Sequence, residues 1–410
     1  MNNKIVIRQA TWEDEPLIAL FFKENLGERA VFKCPYRWKW IYKNNPFFHN
    51  DRFLPVWLAV DKNHIVGMAC IMILDFEVGQ QVVKAGWGID FRVLPEYRGM
   101  GLGYRLQKIK QESFSNFSLS SSLTAVSIKR KLGSLPKTSH VVHLNVKGFD
   151  SLCLYNDFVR YLKIKVDSRL YKFGLNLGLH KLLSNLLSTI FKFKQMKGSF
   201  HLKKDKPLLS FKQTDLFNEE ATGLWEQVKD RYSLAVRRDA KYLNWKFVDQ
   251  PHINYQRYLV YKKASLCGIL IFRIGKDPEL PIGIISEFYT NQNMKVLREM
   301  LDFAVTSLYK QGALMIQCSG STDERSSILK SLGLIPIRKD LSSFSFIGNN
   351  ADNLQQKALK GDWLMGLGDH EHDEYPRISH PSLYDLVKIF AGRIPGEETI
   401  KALGHGVQRS

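Results

Sequence analysis

Cysteine is scarce in this sequence, and the few cysteines present show no pairing pattern. Five are spread over 410 residues: Cys34, Cys70, Cys153, Cys267 and Cys318. Their odd number, their wide spacing and the lack of a Cys-x-x-Cys pair argue against a disulfide framework and against a zinc site built from thiolates. We therefore interpret all five as reduced side chains of the core.

A long apolar segment near the start is also missing. The first apolar run, residues 5–7, is too short for a signal peptide. The chain contains 44% hydrophobic residues, which is enough for a core in each of two domains. We expect a cytoplasmic protein, with peripheral attachment to the inner membrane as an open alternative.

Acidic residues are nearly absent from one segment of this basic chain. The net charge is +19, and residues 160–206 hold twelve lysines and arginines against two aspartates. Leucines at helical spacing predict an amphipathic helix over 179–190, and its polar positions exclude a membrane span. Three interpretations stay open: leucines packed on the domains with solvated lysines, an acidic acyl carrier protein as partner, or an anionic membrane surface. We expect no nucleic acid, because no recognition-helix motif occurs.

Three glycines on alternate positions follow a predicted strand. Residues 91–103 read Phe-Arg-Val-Leu-Pro-Glu-Tyr-Arg-Gly-Met-Gly-Leu-Gly, and a helical stretch follows over 104–114. Without Cβ atoms, successive backbone N–H groups can converge on one anion, and the helix adds the positive end of its dipole. Arg98 supplies a forked cation that suits a pyrophosphate. The spacing disfavours the Gly-x-Gly-x-x-Gly and P-loop patterns.

The whole pattern resembles the acetyl-coenzyme A loop of the GNAT superfamily of N-acyltransferases. The resemblance implies that acetyl-CoA or another acyl-CoA is the co-substrate. It also implies that the backbone after the arginine binds the pyrophosphate and that the preceding strand, residues 89–93, supplies the oxyanion donor. The predicted cofactor-binding residues are Phe91, Val93, Arg98, Gly99, Met100, Gly101, Leu102 and Gly103.

Landmarks of the first half recur in the second half at the same spacing. Trp40, Tyr42 and Pro46 correspond to Trp245, Phe247 and Pro251, and Leu58 and Gly67 correspond to Leu259 and Gly268. We interpret this as an internal duplication. The second copy has neither glycine nor arginine in the matching turn, residues 289–295, so we expect one coenzyme A site, in the first copy.

The duplication predicts an α/β fold with mixed sheets, in two tandem GNAT-like domains joined by a basic helical linker. The predicted ranges are 1–158 for the domain with the acyl-CoA loop, 159–206 for the linker, 207–345 for the second domain and 346–410 for a carboxyl-terminal extension. Tandem proteins with this Trp-x5-Pro feature resemble those of bacterial polysaccharide and cell-envelope assembly.

One carboxylate stands out as a candidate general base. Asp90 is the only acid between Glu77 and Pro95, and it lies in an apolar strand where an unpaired charge is costly. The alternative is a strand charge that pairs with Arg92 on the same face. The resemblance implies a tyrosine acid four residues before Gly133, where this chain has Lys129, so Lys129, Tyr155 and water all remain candidates for protonating the thiolate.

The run Asp-His-Glu-His-Asp-Glu at 369–374 offers metal-type ligands, but no third fixed ligand can be identified. We expect a solvated acidic loop there and no metal.

Together these features predict an acyl-CoA-dependent N-acyltransferase. Its acceptor would be the amino group of a small molecule, such as an amino sugar or an envelope or polysaccharide precursor, attacking the thioester directly. The alternatives are an acyltransferase that uses acyl carrier protein as donor and a catalytically silent GNAT-fold binding module.

Overall fold

The computed structural model describes residues 5–30, 32–50, 52–120, 123–149, 151–166, 168–198, 209–275, 281–369 and 371–374. This part of the chain forms both strands and helices. The strands are β1 (Val6–Thr11), β2 (Phe53–Asp61), β3 (His64–Val78), β4 (Gln81–Val93), β5 (Asn116–Ser120), β6 (Leu135–Val146), β7 (Leu209–Gln213), β8 (Leu234–Val236), β9 (Gln256–Lys262), β10 (Ser265–Ile274), β11 (Ile282–Thr290), β12 (Met315–Gly320), β13 (Ile335–Ser345) and β14 (Trp363–Leu364). The helices are α1 (Glu15–Leu26), α2 (Leu102–Ser113), α3 (Leu123–Lys131), α4 (Ser151–Tyr161), α5 (Arg169–Asn176), α6 (Leu179–Gly198), α7 (Glu219–Val228), α8 (Ala240–Phe247), α9 (Met294–Lys310), α10 (Asp323–Ser331) and α11 (Ala351–Leu359).

Tertiary contacts divide the chain into two compact units. Unit 1 comprises residues 1–139, 215–254 and 341–364, and unit 2 comprises residues 140–214, 255–340 and 365–410. Each unit therefore draws on three separate stretches, whereas the sequence predicted contiguous ranges. The described residues of the predicted linker, 159–166 and 168–198, belong to unit 2.

Unit 1 contains a mixed sheet in the order β1-β2-β3-β4-β5, with residues 341–345 of β13 beside β5. Its neighbours are antiparallel except for β4 and β5, which are parallel and pair only at Gly86 with Asn116 and Trp87 with Phe117. The rest of β4 therefore continues past the end of this ladder. Helix α2 buries Leu102 and Leu106 in a core cluster with apolar residues of β2 and β3.

Unit 2 contains a mixed sheet in the order β6-β12-β11-β10-β9-β7, in which residues 141–146 of β6 pair with β12. Its parallel pair is β11 with β12, at Ile282–Ile284. Helix α9 contributes Leu297, Met300 and Leu301 to one core cluster, and α6 contributes Leu187 and Phe191 to another. The order of three antiparallel strands, helix, strand, helix and strand thus occurs in both halves of the chain.

One predicted helix is irregular in the structure. The aromatic-rich run over 36–43 predicts a helix that stops before Pro46, but the structure has instead a pair of wider π-type turns, Lys33–Arg37 and Lys39–Lys43. Cys34 has extended backbone angles inside the first of them, which prevents a regular helix there.

The expectation of a solvated acidic loop at 369–374 was wrong. Asp369, Asp373 and Glu374 are buried. The carboxylate of Asp373 accepts hydrogen bonds from Arg273 Nε at 2.8 Å and from the hydroxyl of Tyr255 at 3.0 Å. A buried arginine requires an acidic partner such as Asp373. The acidic run alone could not predict this pairing. His370 and the side chain of His372 lie outside the described residues.

Candidate functional site

The glycine turn leads from β4 into α2 through a left-handed backbone. After a 3₁₀ turn at Pro95–Tyr97, Gly99 has φ +83° and Gly101 has φ +73°, and α2 begins at Leu102. A Cβ added at Gly99 or Gly101 would meet nothing within 4 Å. Glycine is therefore favoured here by the positive φ angles and not by crowding.

The amino end of α2 presents backbone N–H groups to the outside. The amides of Gly99, Met100 and Gly101 have no acceptor among the described residues, and α2 begins without a side-chain cap. The turn is exposed, and Arg98 Nε donates to the carbonyl of Val93 at 3.2 Å, which holds the guanidinium beside it. Unpaired amides at the amino end of a 12-residue helix form an anion-binding site. The turn therefore fits the pyrophosphate of a coenzyme A.

The structure brings the predicted cofactor-binding residues of β4 to the same place. A Cβ at Gly103 would lie 3.4 Å from the ring of Phe91 and 3.9 Å from Val93. Met100 is exposed, while Leu102 is buried in the core and anchors the turn. Phe91, Val93 and the turn at 98–103 thus line one region.

A β-bulge interrupts β4 before the turn. Met68 pairs with Arg92 and Cys70 pairs with Ile89, so Asp90 and Phe91 together face a single residue, Ala69. Asp90 has φ +47°, in the left-handed region that non-glycine residues rarely adopt. A bulge takes backbone groups out of the ladder, and this one lies within 89–93, where the oxyanion donor was predicted.

Asp90 forms a buried double ion pair. Its carboxylate accepts hydrogen bonds from Lys33 Nζ and, at 2.6 Å, from Arg37 Nη1, and the side chains of Asp90, Lys33 and Arg37 are 7%, 1% and 2% exposed. Burial raises the pKa of Asp90, but the charges of Arg37 and Lys33 outweigh it and lower the pKa to about 2. A carboxylate with that pKa is a weak proton acceptor, so this geometry gives the predicted base role no support.

The expected pairing of Asp90 with Arg92 does not occur. Arg92 Nη1 donates to the carbonyl of Asn25 at 3.2 Å. The bulge at Asp90 and Phe91 breaks the alternation on which the prediction depended. Lys33 and Arg37 were missed because they lie 57 and 53 residues upstream, in turns without a periodic signal.

A buried lysine lies near the end of the β4–β5 ladder. Lys110 of α2 is 2% exposed and makes no hydrogen bond or ion pair through its ammonium among the described residues. Its Nζ lies 2.9 Å from the position of a Cβ on Gly88, the residue that follows the last paired residue of β4. Burial lowers the pKa of Lys110 to about 8.

Lys129 belongs to the same cationic environment. Burial, and next the charge of Lys110, lower the pKa of Lys129 on α3 well below its ordinary value. Its ammonium is therefore a stronger acid than that of a free lysine. Tyr155, by contrast, lies in α4 of unit 2, where its hydroxyl donates to the carbonyl of Tyr171 at 3.3 Å.

The corresponding turn of unit 2 has a different chemistry. Asn293 caps α9 by accepting a hydrogen bond from the amide of Val296, which occupies one of the donors that α2 leaves available. Beyond the β11–β12 ladder, Gly366 lies so close to β11 that a Cβ there would be 2.7 Å from the carbonyl of Ser286. Neither feature favours a second pyrophosphate site.

Comparison with known families identifies the part of the chain that contains this site. Residues 14–126 match the sequence model of the acetyltransferase (GNAT) family. This part of the chain is a GNAT domain. The chain is therefore an acyltransferase, and acyl-coenzyme A is its co-substrate. A comparison with curated protein sequences finds no significant match.

Solved structures resemble the chain beyond the GNAT domain. A GCN5-related N-acetyltransferase from Anabaena variabilis has a TM-score of 0.52 at 13% identity, over 84% of this chain and 73% of its own. A probable N-acyltransferase from Enterococcus faecalis has a TM-score of 0.52 at 8% identity, over 87% and 74%. Saccharomyces cerevisiae N-myristoyltransferase, solved with bound myristoyl-CoA, has a TM-score of 0.50 at 12% identity, over 84% and 80%. At these identities the likeness establishes the fold, and it confirms the predicted mixed α/β class.

Proposed function

We propose that this acyltransferase carries an acyl group, most simply acetyl, from coenzyme A to the amino group of a small molecule of the amino-sugar or envelope-precursor class. The observation that carries the proposal is the exposed left-handed turn at 98–103, with unpaired amides at the start of α2 and a bulge upstream in β4. An irregular strand suits the thioester end of an acyl-CoA, and the anion site that follows it suits the pyrophosphate.

The acceptor class is supported by the duplication and by the resemblance to tandem envelope proteins. The two tryptophans of the repeated landmark, Trp40 and Trp245, stack with ring centroids 4.6 Å apart at 13°. Each indole Nε1 donates to the backbone carbonyl of the other tryptophan, at 2.9 and 3.3 Å. Such reciprocal contacts are typical of elements related by two-fold symmetry, and they support a tandem origin.

The reaction would be a direct acyl transfer. The uncharged amine attacks the thioester carbon and forms the new C–N bond, backbone N–H groups near the bulge hold the resulting oxyanion, and the C–S bond breaks as the carbonyl forms again. The amine loses a proton to water, and the departing thiolate takes one from Lys129 or from water. A cysteine intermediate is disfavoured, because burial raises the pKa of Cys34 to about 11 and that of Cys70 well above its ordinary value.

The experiment combines turnover with binding. Labelled acetyl-CoA is incubated with the full chain and a panel of amino sugars and nucleotide-linked amino sugars, and coenzyme A binding is measured separately. Transfer to at least one of these amines is expected. Binding without transfer to any amine would favour the silent module, and transfer only from acyl carrier protein would favour the other donor.

A matched pair of glycine variants tests the turn itself. Gly101→Ala puts a Cβ into the proposed pyrophosphate site at φ +73°, and Gly178→Ala imposes the same strain at φ +71° in unit 2, also with open space around it. Each variant should lose about 1 kcal/mol of stability. Coenzyme A affinity should fall at least tenfold only in Gly101→Ala. Equal affinities in the two variants would show that the turn is not part of the coenzyme A site.

A further inference from the structure

Helices α5 and α6 of unit 2 contain no acidic residue. Residues 168–198 contain six lysines and arginines and no aspartate or glutamate: Arg169, Lys172, Lys181, Lys192, Lys194 and Lys197. Among the described side chains of this set, Arg169, Lys172, Lys181 and Lys192 make no ion pair. These four side chains therefore have no carboxylate at ion-pair distance within the described part of the protein.

Helix α6 has two apolar faces, of which only one is covered. Leu187 and Phe191 are buried in the core of unit 2, with Leu183 packed against them. On the other face, five large apolar side chains recur every three or four residues and are 39% to 65% exposed: Leu179, Leu182, Leu186, Ile190 and Phe193. Helix α6 therefore buries one stripe and presents a second.

The preceding helix continues this apolar character. Leu170 and Phe173 of α5 and Leu177 just after it, also three or four residues apart, are 65%, 64% and 61% exposed. Monomeric proteins seldom leave so many large apolar side chains uncovered in one stretch of chain. One interpretation of the sequence was that these leucines pack on the domains. The structure shows such packing for only one face of α6.

We propose that the exposed side of α5 and α6 is a membrane-binding surface that inserts shallowly into an anionic lipid bilayer. Leucine and phenylalanine would enter the boundary between headgroups and acyl chains, and the lysines and arginines would lie among the lipid phosphates. The 20 residues of α6 extend over about 30 Å, which suits a flat surface better than the pocket of a small protein.

The binding is interfacial. Among the helices that the structure describes, none combines the length and the apolar character that crossing a membrane demands. Positive charge and apolar contact are both part of the surface, so both the lipid charge and the exposed stripe should control binding.

Vesicle sedimentation of the full chain tests this proposal. The protein should bind vesicles of phosphatidylcholine with phosphatidylglycerol at least tenfold more tightly than vesicles of phosphatidylcholine alone. Added salt should weaken the binding. A triple variant, Leu182→Ser, Leu186→Ser and Phe193→Ser, should lose the binding at least tenfold, while its melting temperature stays that of the parent.

The matched control replaces three apolar residues of similar exposure elsewhere: Val6→Ser, Val82→Ser and Leu216→Ser, at 56%, 51% and 63%. It should bind vesicles like the parent. An independent readout uses Phe193→Trp, whose fluorescence should be quenched by brominated acyl chains in anionic vesicles.

Three outcomes would overturn the proposal: no binding to anionic vesicles, equal losses in the two triple variants, or no quenching of the introduced tryptophan. Self-association without vesicle binding would show that the surface binds a second copy of the chain instead. Binding to an acidic carrier protein without vesicle binding would show that it binds that protein instead.

Discussion

Asp90 illustrates what a single residue's sequence context can and cannot predict. An isolated acid in an apolar strand correctly marked a position under unusual constraint. Its chemistry depends on Lys33 and Arg37, which are distant in sequence and carry no pattern that connects them to β4. With a left-handed backbone at Asp90 and two buried cations on its carboxylate, the residue is better suited to fix the bulge than to accept a proton.

Asp90→Asn should therefore destabilise the fold. Leaving two buried cations without their carboxylate typically costs about 3 to 5 kcal/mol. Urea unfolding measures the loss, with Asp75→Asn as the control, since Asp75 pairs with a half-exposed Lys84 and its loss should cost less than about 1 kcal/mol. An Asp90→Asn protein that keeps its stability but loses turnover would restore the general-base role.

The same ion pair predicts a pH dependence with a definite sign. The pKa of Asp90 is about 2 in the fold and 3.8 in its absence, so the folded state favours the ionised form. The stabilisation is complete above pH about 4 and is lost as the pH falls towards 2. Unfolding of the parent and of Asp90→Asn should converge over this window; a constant difference would contradict the pairing.

Lys110 was missed because a lysine within a basic helix has no distinguishing sequence signal. Its burial, and the lack of an ion-pair partner for its ammonium among the described residues, oppose its charged form and lower its pKa to about 8. Below that pH the buried charge costs stability, and the cost disappears as the pH rises from 8 towards the ordinary lysine pKa.

Lys110→Met should consequently stabilise the protein at pH 7, by about 1 to 3 kcal/mol. If the lysine serves the acyl-transfer site, the same variant should lower kcat/KM at least tenfold. Lys108→Met, on an exposed lysine of the same helix, is the control and should change neither quantity. A destabilised Lys110→Met protein would show that the burial is not costly.

At the scale of elements, pattern and spacing were sufficient wherever one periodicity dominated. The sequence predicts strands over 65–74, 82–93 and 282–289 and helices over 104–114, 295–309 and 323–332. The elements β3, β4, β11, α2, α9 and α10 lie within a few residues of these ranges, because apolar alternation and terminal signals agree there. The turns at 33–43 were mistaken for a helix, since their aromatic spacing is compatible with one, whereas Cys34 is extended.

The irregular backbone of β4 is the part of the site that the sequence could not predict. The glycines at 99 and 101 indicate a left-handed turn, and the structure has one. No residue type predicts the bulge at Asp90 and Phe91, because a bulge depends on the register of two strands and on the side chains that hold it.

For the whole molecule, the sequence predicted two similar halves but not how the chain is distributed between compact units. Residues 341–345 complete the sheet of unit 1, and residues 141–146 complete that of unit 2. Long-range strand pairing of this kind leaves no local signature. The halves differ at the turn, which is open and left-handed before α2 and capped by Asn293 before α9.

The central claim is that the chain has one coenzyme A site, formed by the turn at 98–103. Calorimetric titration of the full chain with coenzyme A tests it most directly. We predict one molecule bound per chain, with binding weakened at least tenfold in Gly101→Ala and retained in Gly178→Ala. Two sites per chain, no binding, or full affinity in Gly101→Ala would contradict the claim.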